Sequence, residues 1–331
     1  MRIVYLNDFP YSLGFGGKEV QLNTYFDFLT QKNYKIERLQ VWDNNVDFDV
    51  IHLFGSTKII HSYIDILKNK ECKIILSPNF YSGNPVLEKL LVLIFKKFPI
   101  PNIFSYRYIM FRNVDRLICN SVSESRQLQH IYKVPSEKIF VFPNGTDIKN
   151  IPEKTTKFSE GLPSQYILSV GYFDERKRTI DLITAYKKSK FKDKYKLILV
   201  GQPRFASLKK KELFKKITQD DDIIILDNIT PNSTELISLY KNAKAHLLPS
   251  TLETPGIANL EAASFDLPLF IGDCLPVRDY FGDEVYYVTK DKKDLTEHLN
   301  KFLGDLLNYQ PRRKNFSWKV ALTGLAKIYE F

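Results

Sequence analysis

Two glutamates with seven residues between them are the side chains whose spacing most clearly indicates chemistry. Glu253 and Glu261 lie in the segment Pro-Ser-Thr-Leu-Glu-Thr-Pro-Gly-Ile-Ala-Asn-Leu-Glu-Ala, residues 249–262. Thr254 suits an N-cap and Pro255 the first helical position, which predicts a helix whose free N-terminal amides meet solvent or an anion. Along such a helix Glu261 lies roughly 9–10 Å beyond Glu253, so one extended ligand could touch both. The alternative is a surface helix with an acidic first turn.

A run of three cations, Arg-Lys-Arg at 176–178, follows a predicted strand and precedes a predicted helix at 180–189. Loops at the carboxyl edge of a parallel sheet are where such sheets bind ligands, and the natural partner of this run is a diphosphate. The alternative is a solvated charge cluster that pairs with Asp174 and Glu175.

A glycine pair, Gly16 and Gly17, follows the first predicted strand and opens a predicted helix. Glycines there let the backbone approach a phosphate or a sugar closely. The pair is not a P-loop, because Lys18 is followed by Glu19 rather than by Ser or Thr. A tight turn explains it equally well.

His52 lies near the carboxyl end of a predicted strand, where it could face a cleft and take part in proton transfer. A lone histidine in such a place is more often a hydrogen-bonded structural residue. Asp47 and Asp49 formally match an Asp-x-Asp metal pattern, but they precede the strand, and alternation sends them away from its carboxyl edge. No metal site is expected.

The length of 331 residues predicts two domains of about 150 residues each, with a cleft between them. The three cysteines are far apart and form no Cys-x-x-Cys pattern, which favours a reducing compartment. The longest apolar run, Leu90 to Phe95, is closed by a lysine at each end, so no segment is expected to span a bilayer. We therefore expect a cytoplasmic protein that is either soluble or peripheral at the inner face of a membrane.

The net charge of +10 is unevenly distributed, because eleven basic residues stand against five acidic ones between Lys58 and Arg126, an excess larger than that of the whole first 150 residues. Within this stretch, Leu87 to Phe104 interleaves apolar residues with lysines. One interpretation is a segment that lies on anionic lipid headgroups. The other, which we favour as a structural statement, is an amphipathic helix packed on a sheet with a solvated lysine edge. Nucleic acid is not an expected partner, because no recognised binding signature accompanies the lysines.

Short Ile, Val and Leu runs alternate with helical patterns along the chain, which predicts an α/β fold of parallel sheets wrapped by helices. Residues 149–164, rich in Lys, Pro, Thr and Ser, read as a linker. The predicted strands are 2–6, 35–41, 50–54, 73–76, 116–119 and 139–142 before the linker, and 166–171, 195–200, 223–226, 245–248, 268–271 and 284–288 after it.

In this order the pieces resemble the family-4 glycosyltransferases of GT-B fold, over nearly the whole chain. The Glu-x7-Glu segment and the Pro-Asn-Gly-Thr-Asp sequence at 143–147 carry the resemblance most specifically. Weaker support comes from Gly16-Gly17, residues 114–121, Val134-Pro135, Ser169-Val170-Gly171 leading to Lys177, Leu199-Val200-Gly201 and Phe316-Ser317-Trp318.

The resemblance implies two Rossmann-like, doubly wound parallel-sheet domains that face each other across a cleft. Residues 1–150 would form the acceptor-side domain, 151–315 the nucleotide-sugar domain, and 316–331 a C-terminal helix that packs back on the first domain. The implied activity is a metal-independent, retaining transfer of a hexose from a UDP or GDP sugar. The acceptor would be a glycan or a lipid-linked glycan in surface polysaccharide or glycoconjugate synthesis.

The resemblance also assigns roles by position. Arg176 and Lys177 would neutralise the diphosphate, and preorganised cations there would stabilise the charge of the leaving group. Glu253 would bind the donor sugar, and Glu261 the ribose hydroxyls. The further donor contacts implied are Gly16, Gly17, Asn228, Gly256 and Ile257, and the catalytic candidates are Glu253, Lys177 and His52.

Some positions depart from the family pattern. Tyr172 stands where an arginine is usual, so Arg176 or Arg178 must supply the missing phosphate contact. Asn79 and Phe54 replace frequent histidines, which weakens any acid role for a histidine. Two alternative functions follow, a GT-B sugar-nucleotide epimerase or hydrolase and a non-catalytic partner subunit that keeps the fold.

Overall fold

The computed structural model describes residues 1–8, 16–39, 47–97, 100–148, 161–291, 294–309 and 315–331. The chain divides into two compact units. The first unit contains Met1–Asn144 and Trp318–Phe331, and the second contains Gly145–Ser317. Most of the predicted linker, residues 149–160, lies outside the described residues.

All twelve predicted strands are present among the described residues, with ends shifted by a few residues. They are β1 (Arg2–Asn7), β2 (Lys35–Arg38), β3 (Val50–Phe54), β4 (Lys73–Ser77), β5 (Arg116–Cys119), β6 (Ile139–Val141), β7 (Tyr166–Val170), β8 (Lys196–Val200), β9 (Ile223–Leu226), β10 (His246–Leu248), β11 (Leu269–Gly272) and β12 (Tyr286–Val288).

The helices alternate with these strands, as the sequence pattern predicts. They are α1 (Gly17–Gln31), α2 (Lys58–Leu67), α3 (Pro85–Lys97), α4 (Ile103–Arg112), α5 (Val122–Tyr132), α6 (Thr179–Lys188), α7 (Leu208–Ile217), α8 (Thr234–Asn242), α9 (Ile257–Ser264), α10 (Leu275–Phe281), α11 (Thr296–Gly304) and α12 (Trp318–Ala321), with short 3-10 turns at Ser136–Lys138, Leu306–Asn308 and Leu325–Tyr329. No helix of the described residues is both long enough and apolar enough to cross a bilayer.

The first unit is built on a parallel six-stranded sheet in the order β2-β1-β3-β4-β5-β6. Its central strands are apolar on both faces because helices cover both, and every residue of β3 is buried. The second unit holds a parallel six-stranded sheet in the order β12-β11-β10-β7-β8-β9. This is the strand order of a doubly wound nucleotide-binding fold, whose ligands bind where the order reverses, here between β7 and β10.

The C-terminal segment packs within the first unit. The phenol of Tyr329 is buried and lies 2.5 Å from that of Tyr5, and Arg116 Nη1 donates to the carbonyl of Ile328 at 2.7 Å. The segment is not the single helix that the sequence suggests. Its α-helix covers Trp318–Ala321 only, and a 3-10 turn follows.

Helix α3 corrects the interpretation that we favoured for the basic segment. Only Val92 of this helix is buried, and the main neighbours of α3 are α4 and α5. Five large apolar side chains face outward and are between 43% and 79% exposed, namely Val86, Leu87, Leu90, Leu93 and Ile94. The error arises because a helical apolar stripe has the same period whether it is packed or exposed.

Candidate functional site

Two loops meet at the carboxyl edge of the second sheet, at its switch point. One follows β7 and carries Arg176 and Lys177, and the other follows β10 and carries Glu253. The loops are joined through their backbones, because Thr251 N donates to the carbonyl of Arg176 at 2.8 Å. Residues 75 or more positions apart in the chain are thereby held side by side.

Glu253 is the centre of this arrangement. Its Oε1 accepts a hydrogen bond from Arg176 Nη1 at 2.8 Å and one from Ser250 Oγ at 3.1 Å, and Lys177 Nζ lies 3.5 Å from the same oxygen. Its other oxygen, Oε2, has no hydrogen-bond partner among the described residues and lies beside Gly256. One oxygen is therefore fixed by cations, and the other remains available to a ligand.

The charge state of Glu253 follows from these neighbours. Burial raises the pKa of this carboxyl, but Lys177 and Arg176 outweigh burial, and the net pKa is lowered. Burial alone would lower the pKa of the Arg176 guanidinium, yet Glu253 and Asp174 hold it raised. The site therefore contains a fixed carboxylate and a fixed guanidinium at neutral pH.

Lys177 lies between several groups of the site. Its side chain is 12% exposed, and its Nζ is packed so closely on Gly171 that a Cβ there would stand 2.5 Å from it. Gly171 also has a φ of +134°, which a residue with a side chain rarely adopts. The ammonium is close enough to Glu261 to lower the pKa of that carboxyl, as it does for Glu253.

The helix after Glu253 begins later than the sequence predicts. Gly256 is the N-cap residue and α9 starts at Ile257, so the prediction of Thr254 as N-cap and Pro255 as first helical residue is wrong. Gly256 has a φ of +83°, and a Cβ there would stand 3.3 Å from Glu253 Oε2 and 3.1 Å from Asn259 Nδ2. The lack of a side chain at Gly256 leaves room for the glutamate carboxylate at the start of the helix.

Glu261 is buried on α9 but keeps capacity to bind a ligand. Tyr240 Oη donates to its Oε2 at 2.8 Å. Burial raises the pKa of Glu261 to about 6, against the lowering effects of Tyr240 and Lys177. At neutral pH the carboxylate is therefore mostly ionised, and it is suited to accept hydrogen bonds from a pair of hydroxyl groups.

A buried pair that the sequence analysis missed supports this turn. His246 Nε2 lies 3.2 Å from Asn259 Oδ1, and Asn259 Nδ2 donates to the carbonyl of Pro255 at 2.9 Å. Burial lowers the pKa of His246 to about 3, so the ring is neutral. The pair ties the start of α9 to β10. No sequence pattern indicates it, because a histidine in a short apolar strand carries no periodic signal.

The remaining predicted donor-side residues lie in different places. Arg178 is buried and donates to Asp181 at 2.9 Å and to the carbonyl of Thr289 at 3.2 Å, so it does not supply the phosphate contact that we expected of Arg176 or Arg178. Asn228 is exposed in the loop after the edge strand β9. Arg176 and Lys177 alone of the three consecutive cations meet Glu253.

In the first unit, the glycine pair opens α1. Gly16 is the N-cap, and its amide donates to Glu19 Oε2 at 2.9 Å. Asn7 Nδ2 donates to the other oxygen of Glu19 at 3.1 Å. The helix start therefore carries its own carboxylate, and the first glycine amide is not open to an anion. Gly17 is the first residue of the helix.

His52 lies in the core of the first unit. The side chain is fully buried, its Nδ1 lies 2.6 Å from Tyr329 Oη, and its Nε2 lies 2.9 Å from Ser77 Oγ. Burial lowers the pKa of the imidazole well below its usual range. With both nitrogens bonded inside the core, His52 has the geometry of a structural residue and not of a proton donor to a ligand.

No group of three or more His, Cys, Asp or Glu side chains within the described ranges could hold a metal ion. The candidate site thus consists of two cations, two carboxylates and the start of a helix.

Comparison of the sequence with family profiles identifies the family. The profile described as Glycosyl transferases group 1 matches residues 150–318, and that described as Glycosyltransferase Family 4 matches residues 18–150. The chain belongs to the group 1 glycosyltransferases. The predicted membership in family 4 is confirmed, and so is the GT-B type of fold with two parallel α/β sheets.

This glycosyltransferase is similar in sequence to curated relatives and in fold to solved structures. The O-antigen chain mannosyltransferase RfbU of Salmonella typhimurium strain LT2 is 23% identical over 273 residues, which cover 81% of this chain and 70% of RfbU. The Anabaena HepE structure in complex with UDP matches with a TM-score of 0.71 at 13% identity, covering 99% of both chains. The UDP-GlcNAc 2-epimerase of Methanocaldococcus jannaschii matches with a TM-score of 0.61 at 15% identity, also over 99% of both chains.

Proposed function

We propose that this glycosyltransferase moves a hexose, with retention of configuration, from a UDP or GDP sugar to a glycan or lipid-linked glycan acceptor. The observation that carries the proposal is the convergence of Arg176 and Lys177 on Glu253 at the switch point of the second sheet, with Glu261 on the helix that follows. Cations, a carboxylate and a helix start at this position fit a donor that has a diphosphate between a sugar and a ribose.

The chemistry assigns each group a task. The bond between the anomeric carbon and the diphosphate breaks, and the acceptor hydroxyl oxygen forms the new bond, so the products are the glycoside, the nucleoside diphosphate and a proton. Lys177 and Arg176 stabilise the negative charge that develops on the departing diphosphate, together with the amides of Gly256 and Ile257 at the start of α9. No protein nucleophile is assigned.

The two carboxylates hold the ends of the donor. Glu253 Oε2 accepts hydrogen bonds from hydroxyl groups of the sugar, while its other oxygen stays fixed by Arg176. Glu261 accepts from the ribose hydroxyls, and Tyr240 fixes its orientation. Recognition of the base uses backbone groups near Asn228, which lies exposed at the same carboxyl edge of the sheet.

The outward face of α3 supports the proposal that the acceptor lies at a membrane surface. It exposes five large apolar side chains, and Lys96 and Lys97 are exposed at its end. The only carboxylate of the helix, Glu88, is turned inward, where it meets Arg107 at 3.3 Å and Tyr132 at 2.5 Å. An apolar stripe flanked by lysines matches an anionic lipid surface, where each lysine contributes about 1 kcal/mol.

The test is transfer of radiolabelled sugar to a lipid-linked acceptor. Glucose and mannose donors come first, because HepE was also solved in complex with UDP-glucose and RfbU is named a mannosyltransferase. We expect transfer that needs the acceptor and that falls in Glu253→Ala. Turnover without an acceptor would favour an epimerase or hydrolase instead, and a folded protein that binds no nucleotide would favour a non-catalytic subunit.

Membrane contact is tested separately by sedimentation with vesicles of phosphatidylcholine and phosphatidylglycerol. We expect wild-type binding that rises with the anionic fraction and is lost in Leu90→Glu with Leu93→Glu. Leu208→Glu is the matched control, because Leu208 is 78% exposed on α7 of the other unit. Equal binding by all variants would contradict a role of α3.

A further inference from the structure

A stacked pair of side chains extends the candidate site along the sheet edge. Arg204 places its guanidinium carbon 3.4 Å from the centre of the Tyr172 ring. Tyr172 follows β7 and Arg204 follows β8, and these strands are neighbours in the second sheet. The pair therefore lies at the carboxyl edge that carries Arg176 and Lys177.

The backbone builds this pair. Beyond the ends of the two strands, Phe173 N donates to the carbonyl of Gln202 at 2.9 Å, and Arg204 N donates to that of Phe173 at 2.8 Å. Gly201 allows this close approach, since any side chain there would strike the carbonyl of Gly171, and its φ is +137°. The backbone of Arg204 is therefore held in place by hydrogen bonds to the neighbouring loop, so its guanidinium does not depend on side-chain contacts alone for its position.

The carboxylates of the site pair with the other cations and leave Arg204 available to bind an anion. Arg176 and Lys177 share the single carboxylate of Glu253, and Arg178 is paired with Asp181. Arg204 has no ion pair among the described residues and is exposed. A guanidinium stacked on an aromatic face keeps its N–H donors free in the plane, in the fork that suits a phosphate.

The donor assigned above needs such a cation. A diphosphate diester is doubly negative, whereas Arg176 and Lys177 are half neutralised by Glu253. We propose that Arg204, held on Tyr172, is a donor-binding residue that contacts the diphosphate of the nucleotide sugar. This inference rests on the proposed function, because it takes the nucleotide sugar as the ligand of the site.

Calorimetry of the whole protein tests the inference by measuring the binding of UDP, GDP and ADP. The nucleoside with the same base as the nucleotide that binds is then measured as well. We expect Arg204→Ala to weaken binding of the nucleoside diphosphate by at least about tenfold and to leave nucleoside binding unchanged. Arg204→Lys keeps the charge without the planar fork and should recover part of the loss. Tyr172→Phe keeps the stack and should bind like the wild type, whereas Tyr172→Ala should not.

Lys211→Ala is the matched control, because it removes one exposed cation from α7 of the same unit. It should bind the nucleoside diphosphate within about twofold of the wild type. If Arg204→Ala bound the nucleoside diphosphate as tightly as the wild type, this inference alone would be overturned. It would also be overturned if the variant lost affinity for the nucleoside and for the nucleotide equally, because the stacked pair would then recognise the base. A wild-type protein that binds none of the three nucleotides would overturn the proposed function and this inference with it.

Discussion

Arg176 and Glu253, 77 positions apart, form a 2.8 Å ion pair in which the arginine also donates to the carbonyl of Leu252 at 2.7 Å. The guanidinium thus fixes both the side chain and the backbone of the loop that carries the glutamate. The carboxylate in turn neutralises part of the charge that a diphosphate would meet. The pair therefore sets two properties at once, the position of Glu253 and the affinity of the site for anions.

Replacement of Glu253 by glutamine should separate these two properties. Without the carboxylate, Arg176 and Lys177 keep their full charge, so we expect nucleoside diphosphate binding to tighten about threefold to tenfold. We expect sugar transfer to fall at least about tenfold, because the bonds to the donor sugar weaken. Calorimetry and transfer kinetics measure the two effects. Glu175→Gln is the control, since Glu175 pairs with Lys210 at 3.5 Å and not with Arg176 or Lys177. Similar changes in nucleotide binding and in sugar transfer in both variants would count against a specific role for Glu253.

Glu261 predicts a pH dependence of donor binding. Its pKa is raised to about 6, so the carboxylate is ionised at pH 7.5 and mostly protonated at pH 5, and the bonds to ribose weaken as the pH falls. The nucleotide phosphate titrates in the same range, so the quantity to measure is the difference between wild type and Glu261→Gln. We expect that variant to bind about tenfold more weakly at pH 7.5 and nearly equally at pH 5. A difference that is constant with pH would contradict the assignment.

Glu124 predicts a pH dependence of stability in the first unit. Burial raises the pKa of this carboxyl to about 7, although the amides of Asn120 and Phe80 donate to it. A carboxyl whose folded-state pKa is raised stabilises the fold fully below its unfolded pKa and loses that contribution as the pH rises through the folded value. Relative to Glu124→Gln, the wild type should lose about 3 kcal/mol of unfolding free energy between pH 4.5 and pH 8.

Guanidinium denaturation at both pH values measures this change. The exposed Glu137 provides the control, because Glu137→Gln should show no such pH dependence. If the relative stability of Glu124→Gln were the same at both pH values, the carboxyl would titrate at an ordinary pKa and the prediction would fail.

Tyr329→Phe tests the structural role of His52. The variant leaves the Nδ1 of a buried histidine and the phenol of Tyr5 without a partner, which should lower the unfolding free energy by about 1–3 kcal/mol. Tyr34→Phe is the matched control. This variant removes a phenol hydroxyl that donates to Glu330 at the surface, so it should change the unfolding free energy little. The pH profile of transfer should be the same in Tyr329→Phe as in the wild type. A shifted profile would return His52 to the reaction.

The elements of this fold are predictable because a buried parallel strand needs a short apolar run that helical segments do not have. The runs at 166–171 and 245–248 mark β7 and β10, and sheet geometry then brings the residues after each strand to one edge. Arg176, Lys177 and Glu253 could be placed together in this way. The sequence does not show whether the apolar face of a helix is packed against the rest of the protein or exposed, as the example of α3 demonstrates.

The finer contacts of the site depend on three-dimensional packing. The sequence pattern places the start of α9 too early because it does not report that Gly256 adopts a φ of +83° and acts as the N-cap. The contacts of Tyr172 with Arg204 and of His246 with Asn259 join separate segments through backbone pairing and burial. Residue type and spacing do not report such contacts.

The assignment of residues 318–331 to the first unit has a consequence for biosynthesis. The polypeptide that completes this core is translated after the whole of the second unit, so the nascent amino-terminal sheet must wait on the ribosome with the pocket for Tyr329 unfilled. Truncations that remove residues 318–331 should accordingly unfold the first unit and raise its demand for chaperones, although the loops that carry Arg176 and Glu253 belong to the second unit.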